Sequence, residues 1–522
     1  MLRLFTRPRV LRPLFQANTH TILKMSLSTH NVPKLNDPSL LKEAAFINGQ
    51  FITSPAFTTF TVTDPATNTP IATIPDLTAA ETRTAITAAH TALQTFRHTL
   101  PRERARLLRA WYDQIIANAD DLATLITLEN GKPTADARGE VAYAASFLEW
   151  FSEEAPRLYG DTIPSSVRGN RVVTIRQPVG VCALITPWNF PAAMITRKIG
   201  PAIAAGCTVV AKAPAETPLT SLALAELAVR AGMPKGVVNI ITASANTAAV
   251  GEELCVNPVV KKLSFTGSTP VGKLLMKQCS GTLKKLSFEL GGNAPFIVFD
   301  DANVDAAVAG AIGCKFRSSG QTCVCANRIY VQDGIHDEFV AKLAEKVRGF
   351  KVGSGFDGEN THGPLIHDRA VGKVREHVDD AVGKGAEAVV GGGVSQLGPN
   401  FFEPTVLKGL TSEMRISREE TFGPVAGVFR FKTEKEVVGL ANDTEVGLAG
   451  YFFSSDIGRI WRVAEALEVG MVGVNTGIIS DTAAPFGGIK ESGFGREGSK
   501  YGIDEYTVIK SITFGGVGNL QG

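Results

Sequence analysis

A cysteine, an asparagine and a glutamate stand in three short segments whose residue types suit one chemistry. Cys323 lies in GQTCVCANR, residues 320 to 328, after a Gly-Gln-Thr turn and before small residues. A thiol becomes a strong nucleophile when it is partly desolvated and held by positive potential, such as the backbone N–H groups at a helix N-terminus. Attack of its thiolate on an aldehyde carbon creates a tetrahedral oxyanion, which needs fixed hydrogen-bond donors. Asn189, in PWNFP at 187 to 191, can supply one. Loss of hydride from that adduct leaves a thioester, whose hydrolysis needs a base for water near neutral pH. Glu289, in the apolar and glycine-lined FELGG at 288 to 292, suits the task because burial raises a carboxyl's pKa. Alone, none of the three decides anything, since a cysteine among small residues is ordinarily packing and a glutamate ordinarily a solvated surface group.

Other residues offer places for a coenzyme and a charged substrate. FTGSTPVGK, residues 265 to 273, follows the strand-like KKLSF and leads into the helix-like VGKLLMKQC. Backbone N–H groups and the helix dipole at such a turn suit a pyrophosphate. Gly267, Ser268 and Gly272 belong to it, although the glycines do not make a GxGxxG pattern. Arg317 lies six residues before Cys323 and Arg197 eight residues after Asn189. Guanidinium groups capture carboxylates through two parallel hydrogen bonds. Cys325, two residues past Cys323, is either small-residue packing or a redox partner that forms a strained, easily reduced disulfide with it. A cysteine acyl hydrolase would need a histidine base, and no histidine falls within these segments. A silent binding protein on the same frame would be expected to have lost Cys323, Glu289 or Asn189.

In this order the segments resemble the aldehyde dehydrogenase superfamily. GQTCVCANR is similar to its nucleophile segment, FELGG to its general-base motif, PWNFP to its oxyanion-site motif, EETFGP at 419 to 424 to its nicotinamide-ribose motif, and PFGG at 485 to 488 to its late active-site loop. The resemblance runs from about residue 40 to the C-terminus. It implies an α/β build in three parts, with a doubly wound parallel-sheet coenzyme domain (40–158 and 180–290), an α/β catalytic domain (291–495) and a small β oligomerisation ribbon (159–179 and 505–522) in a homodimer or homotetramer. It implies an oxyanion hole made by the Asn189 side-chain amide and the Cys323 backbone N–H. It also sets Trp188, Glu420 and Phe422 beside the coenzyme.

Lys212, in AKAPAETP at 211 to 218, resembles the family's adenosine-ribose lysine. Relatives preferring NAD usually place a glutamate three residues later, where this chain has Ala215, with Glu216 one position beyond. A carboxylate repels a 2′-phosphate, so Ala215 leaves room for NADP, and the expectation is NADP or use of both coenzymes. Pro270 stands where relatives often carry an acidic residue. FRSSGQTCVCANR and PAAMITRKIGP resemble the succinate-semialdehyde branch, which implies Arg197, Arg317 and Ser480 as a clamp for the substrate's distal carboxylate. Glutarate semialdehyde or a neutral aliphatic aldehyde is the alternative substrate.

The elements that must position these groups follow from pattern. Residues 79 to 152 are rich in Ala, Leu, Glu and Arg at helical spacing and read as two or three long helices. LYGDTIPSSVRGNRVVTIRQP reads as a protruding hairpin. From Gly180 to Cys279 apolar strands (GVCALIT, TVVAKAP, VVNIIT, KKLSFTG) alternate with helices, the mark of βαβ units and a parallel doubly wound sheet. A second α/β set runs through FIVFDD, NRIYVQ, AEAVVGG, VAGVFRF, GLAGYFFSS and GMVGVN. TVIKSITF, the last strand, could return to the ribbon near residue 170.

Composition excludes several classes. The chain has 522 residues with Lys+Arg 53 against Asp+Glu 51, too balanced for a dedicated nucleic-acid binder. No apolar run reaches the eighteen or so residues of a membrane span. Seven cysteines without a CxxC pair argue against a disulfide framework, and eight histidines without an HExxH grouping against a metal centre. Residues 1 to 36 hold six basic side chains and no acidic one, the composition of a mitochondrial transit peptide or else of a disordered basic tail, with Met25 as an alternative start that would give a cytosolic form.

Overall fold

The computed structural model describes residues 33–517, so the basic N-terminal stretch read as a targeting segment lies almost wholly outside the described residues. Five parallel strands form the middle of an eight-stranded sheet, in the spatial order Val238–Ile241, Thr208–Lys212, Val181–Ile185, Val260–Thr266 and Lys285–Glu289. Strands covered on both faces need no polar side, which is why these read as unbroken apolar runs. Successive residues still feed opposite cores. Cys182 and Leu184 pack into one buried cluster, while Val181, Ala183 and Ile185 pack into the other.

From Val181–Ile185 the chain adds two strands on one side, then crosses back and adds two on the other. The carboxyl ends of Val181–Ile185 and Val260–Thr266 therefore flank the point where the winding reverses, which is where a crevice opens in a doubly wound sheet. PWNFP follows the first of these strands and FTGST the second.

Four helices occupy the stretch expected to hold two or three: α1 (Ala79–Phe96), α2 (Pro101–Ala117), α3 (Ala119–Asn130) and α4 (Thr134–Glu154). A Thr78/Glu81 capping box starts α1. The break between α2 and α3 escapes a periodicity reading because Asn118 alone serves as C-cap of one and N-cap of the next. Between and after the parallel strands come α5 (Ala193–Ala205), α6 (Pro218–Arg230), α7 (Thr247–Val256) and α8 (Thr269–Cys279). The sheet's two edges were not anticipated. The short hairpin Ala45–Ile47 and Gln50–Ile52 extends one edge antiparallel to Val238–Ile241. Gly493–Phe494 closes the other against Phe288 and Glu289, although that segment was expected to belong with the second α/β set.

The second sheet has seven strands, in the order Glu387–Val390, Thr405–Lys408, Val425–Phe431, Ala326–Gln332, Ala294–Val298, Ala449–Phe453 and Met471–Val474. All its neighbours are parallel except Glu387–Val390 at the edge. Thr405–Lys408, only four residues long, was missed in the sequence. The helices α9 (Val304–Lys315), α10 (His336–Arg348) and α11 (Asp368–Gly383) accompany this sheet. Apart from both sheets, Arg171–Pro178 pairs antiparallel with Thr507–Phe514 along its whole length and with Thr162–Pro164. The last strand thus does return to the ribbon. Among the described residues no helix is long and apolar enough to cross a membrane.

Candidate active site

Cys323 is delivered by a strained turn. After α9 and Arg317, the residues Ser318, Ser319 and Gly320 have φ of 49°, 54° and 73°. Left-handed backbone at a non-glycine residue costs of order 1–3 kcal/mol and persists only where the surroundings dictate it. Here they do. Ser319 Oγ donates to the Gly363 carbonyl at 2.8 Å and the Ser318 N–H to Asp136 at 3.3 Å, while a Cβ at position 320 would sit 2.1 Å from the Gly423 carbonyl oxygen. Beyond Cys323 the chain enters the strand Ala326–Gln332, as the NRIYVQ run predicts. Burial pushes the Cys323 thiol up to about 12, against the pull of the Arg197 guanidinium. A thiol so placed is protonated at neutral pH, so an attack through it would have to shed that proton.

Hydrogen-bond donors and a buried carboxyl meet at the same place. Asn189 is 5% exposed, and its Nδ2 donates to the Gln321 carbonyl at 3.0 Å, leaving its second N–H for another acceptor. Among the described residues the Cys323 backbone N–H has no internal acceptor. Glu289, 3% exposed, ends the strand Lys285–Glu289. Burial, reinforced by the Glu497 carboxylate, raises it to about 8 although Arg197 and Lys198 oppose the shift. A carboxyl so placed can take a proton near neutral pH.

Asn189, Glu289 and Cys323 share a cavity of about 490 Å³ whose wall includes Trp188, Gly267, Ser268, Glu420 and Phe422. Trp188 meets Phe422 edge to face at 5.6 Å, and Phe422 itself holds a left-handed φ of 55°. Burial raises Glu420 to about 7, while its Oε1 accepts the Gly292 N–H at 3.2 Å. Ser268 caps α8, so the positive end of that helix borders the cavity. The glycines divide their duties differently from expectation. The Gly267 N–H turns inward to the Glu289 carbonyl at 3.0 Å, and Gly272 serves close packing, since a Cβ there would meet Leu290 at 2.6 Å. Lys212, Ala215 and Glu216 lie at and beyond the carboxyl end of the neighbouring strand Thr208–Lys212, outside that wall. Burial lowers Lys212 to about 8 against the pull of Glu216, and its Nζ donates to the Ala213 carbonyl at 3.1 Å. An aromatic wall, a helix N-terminus and the carboxyl of Glu420 together fit a nicotinamide dinucleotide.

On its other side Cys323 borders a narrow pocket of about 40 Å³ lined also by Arg197, Arg317 and Ser480, so the structure brings the three expected clamp residues to the nucleophile. Arg317 is exposed at the rim with its guanidinium 5.2 Å from the centroid of the Phe190 ring. Arg197 is fully buried, faces Glu497 through Nε and stacks over Phe486, and its Nη2 has no hydrogen-bond partner among the described residues. Two residues here went unread in the sequence. Lys198 and Glu497 form a second buried ion pair, so Glu497 faces two cations at once. Adjacent cations within the otherwise small and apolar run of α5 were the available signal. Cys325 points elsewhere. Its Sγ lies 2.7 Å from Thr322 Oγ1 and reaches the Gly320 and Lys315 carbonyls at 3.4 and 3.6 Å, and all seven cysteines are free.

The sequence profile of the aldehyde dehydrogenase family matches residues 51–512. The succinate-semialdehyde dehydrogenase [NADP(+)] GabD of Escherichia coli (strain K12) is 56% identical over 482 residues, 92% of this chain and 100% of that protein. A glutarate-semialdehyde dehydrogenase of Pseudomonas aeruginosa is also 56% identical, over 93% of this chain and 100% of its own. The crystal structure of an E. coli NADP dependent enzyme superposes with a TM-score of 0.91 at 56% identity, covering 92% of this chain and 100% of that one.

If Glu289 is the hydrolytic base, its ionised form is the active one. Raised to about 8, it gains that form as pH climbs through 8, so thioester hydrolysis at Cys323 should rise across that range and level off above it. Glu289→Gln should remove this limb and slow product release by about 10²- to 10⁴-fold, while a first equivalent of hydride transfer survives as a burst in stopped-flow absorbance. A full steady-state rate without a burst would exclude the role.

Proposed function

The chain belongs to the aldehyde dehydrogenase family, and from that footing we propose that it oxidises succinate semialdehyde to succinate with NADP or NAD. One observation carries the reading: Cys323 forms part of two walls, one bordering a cavity suited to a nicotinamide dinucleotide, the other a narrow pocket bearing two guanidinium groups and a hydroxyl. An aldehyde whose far end is a carboxylate would anchor on Arg317, Arg197 and Ser480 and present its carbonyl to the thiol.

In this reading Cys323 Sγ attacks the carbonyl carbon, its proton leaving through Glu289 or water, and the oxyanion is held by the Asn189 amide and the Cys323 N–H. Trp188, Glu420 and Phe422 would hold the nicotinamide ring, which would supply the hydride acceptor. Glu289 then takes a proton from water, the resulting hydroxide attacks the thioester carbon, and the Cys323 sulfur departs with the acid as product. Glutarate semialdehyde differs by one methylene, which is worth only about 1–3 kcal/mol in a pocket, and a relative so named is as similar as the succinate-semialdehyde enzyme. It is the second reading. For the coenzyme, Ala215 in place of a ribose-binding carboxylate supports NADP, as does the NADP(+) in the E. coli relative's name.

The ribbon supports a homo-oligomer. It stands apart from both cores and leaves Ile163, Ile509 and Phe514 42%, 64% and 49% exposed, an apolar surface of the kind that marks a contact with another chain. Ile509→Glu should therefore sediment at lower mass than the parent, and unchanged mass would count against the ribbon as an interface.

Rates of succinate semialdehyde, glutarate semialdehyde and acetaldehyde with each coenzyme test both assignments together. Arg317→Ala should lower kcat/KM for succinate semialdehyde by about 10- to 100-fold, the worth of a charge-assisted hydrogen bond, and leave acetaldehyde nearly unchanged. Equal loss on both would remove the clamp. NADP should match or exceed NAD at equal subsaturating concentrations.

Cys323 and Cys325 are also proposed to pair under oxidation. Peroxide converts the Cys323 thiolate to a sulfenate with release of water, and attack by the Cys325 thiol expels a second water to give the disulfide. Cys325 must first leave Thr322 and the two carbonyls it now touches. Peroxide inactivation should be reversed by dithiothreitol in the parent enzyme. Cys325→Ala should advance to irreversible oxidation under the same exposure, and full recovery of that variant would sink the pairing.

A further inference from the structure

The PWNFP loop hangs on a buried ion pair that none of the roles above uses. Lys132, just past α3, and Glu140, in α4, have side chains 2% and 0% exposed. Lys132 Nζ donates to Glu140 Oε2 at 2.6 Å and to the Asn189 carbonyl at 2.8 Å, and lies 4.0 Å from the centroid of the Phe190 ring. Glu140 Oε1 accepts the Ala192 and Ala193 N–H groups at 2.8 and 3.3 Å. Two residues before Lys132, Asn130 Nδ2 donates to the Trp188 carbonyl at 3.1 Å. Pro191 has no N–H to give. The main chain on both sides of Asn189 is thus held from one short segment of α3–α4, while the first turn of α5 takes the Phe190 carbonyl and Thr217 Oγ1 also donates to that of Trp188. A pair so deeply buried loses much of its Coulomb gain to desolvation, so its value lies in what it orients.

We propose that Lys132 and Glu140 are positioning residues for Asn189: they clamp its backbone so that the side-chain amide, tethered by one N–H to the Gln321 carbonyl at 3.0 Å, aims the other at the oxyanion. The proposal rests on the reading of Asn189 as an oxyanion donor. An amide that is only tethered at one N–H follows its main chain, and a shift of about 1 Å in a catalytic donor is worth on the order of 10²-fold in rate. An interaction made chiefly in the transition state appears in kcat rather than KM.

A double-mutant cycle of Lys132→Met and Asn189→Ala tests it, with Glu140→Gln as a second, isosteric change that keeps an acceptor for Ala192. The measurements are kcat and KM for succinate semialdehyde and the dissociation constant of NADP. Lys132→Met and Glu140→Gln should each lower kcat by about 10- to 100-fold with KM and coenzyme affinity nearly unchanged, and neither should lower kcat further once Asn189 is alanine. Equal losses with and without Asn189 would overturn the clamp, as would a coenzyme affinity that falls in step with kcat. If Lys132→Met does not fold, the Glu140→Gln cycle decides by the same outcomes. If Asn189→Ala itself leaves kcat intact, the oxyanion reading fails instead.

Discussion

One carboxylate, Glu497, sets the electrostatics on which the rest of the site depends. Arg197 and Lys198 are adjacent in α5 and wholly buried, and two like charges so placed would be prohibitive without a counterion. Burial alone would raise Glu497, but the two cations outweigh it and hold the carboxyl below its ordinary range. Its negative charge then acts on the next group inward. Glu289 feels the cations pulling its pKa down and Glu497 pushing it up, and with burial in the lead it comes to about 8. Were Glu497 neutral, Arg197 and Lys198 would draw Glu289 towards an ordinary, weakly basic carboxylate. The same arrangement holds Arg197 charged against the cost of its burial, so its unpartnered Nη2 stays available at the pocket that Cys323 borders. Poise of the base and charge of the buried arginine are thus two consequences of one ion cluster.

The winding of the first sheet explains why these groups can meet at all. Asn189, Gly267 and Glu289 span 100 residues of the chain, yet each lies just past or at the carboxyl end of a strand in one run of three neighbours. Cys323 arrives from the other sheet, through a turn whose three left-handed residues lock against Gly363, Asp136 and Gly423. Glu289 is further tied in by the Gly267 N–H at 3.0 Å and by the antiparallel return of Gly493. The late segment 485 to 497 therefore contributes twice, with a strand edge beside Glu289 and with Glu497 itself.

The sequence made the parallel strands legible because burial on both faces leaves an unbroken apolar run, and the motif residues legible because their types match a single chemistry. It hid whatever depends on contacts distant along the chain. Gly320 could be read as a turn, but not the left-handed state of Ser318 and Ser319, which only the packing of 363 and 423 enforces. Glu497 and Glu140 look like any glutamate until their cations fold against them. The strands Ala45–Ile47 and Thr405–Lys408 are too short to show a period, and their register comes from the neighbours they join. The strand that follows Cys323 was legible, because NRIYVQ is β-branched and aromatic enough to run extended.

In the proposed coenzyme site, the choice between NADP and NAD turns on how a buried cation is compensated. Lys212 is 5% exposed and lowered to about 8, because burial disfavours its charge and Glu216 only partly restores it. An anion set beside it would strengthen that charge, whereas a neutral ribose hydroxyl would not. Had position 215 carried the carboxylate, Lys212 would already have a close partner and a 2′-phosphate would meet repulsion. With Ala215 in its place and Glu216 half-buried, the lysine remains under-compensated. A phosphate there would both remove that deficit and find no opposing charge at 215, so the local electrostatics favour NADP without excluding NAD, which needs only the hydrogen bonds.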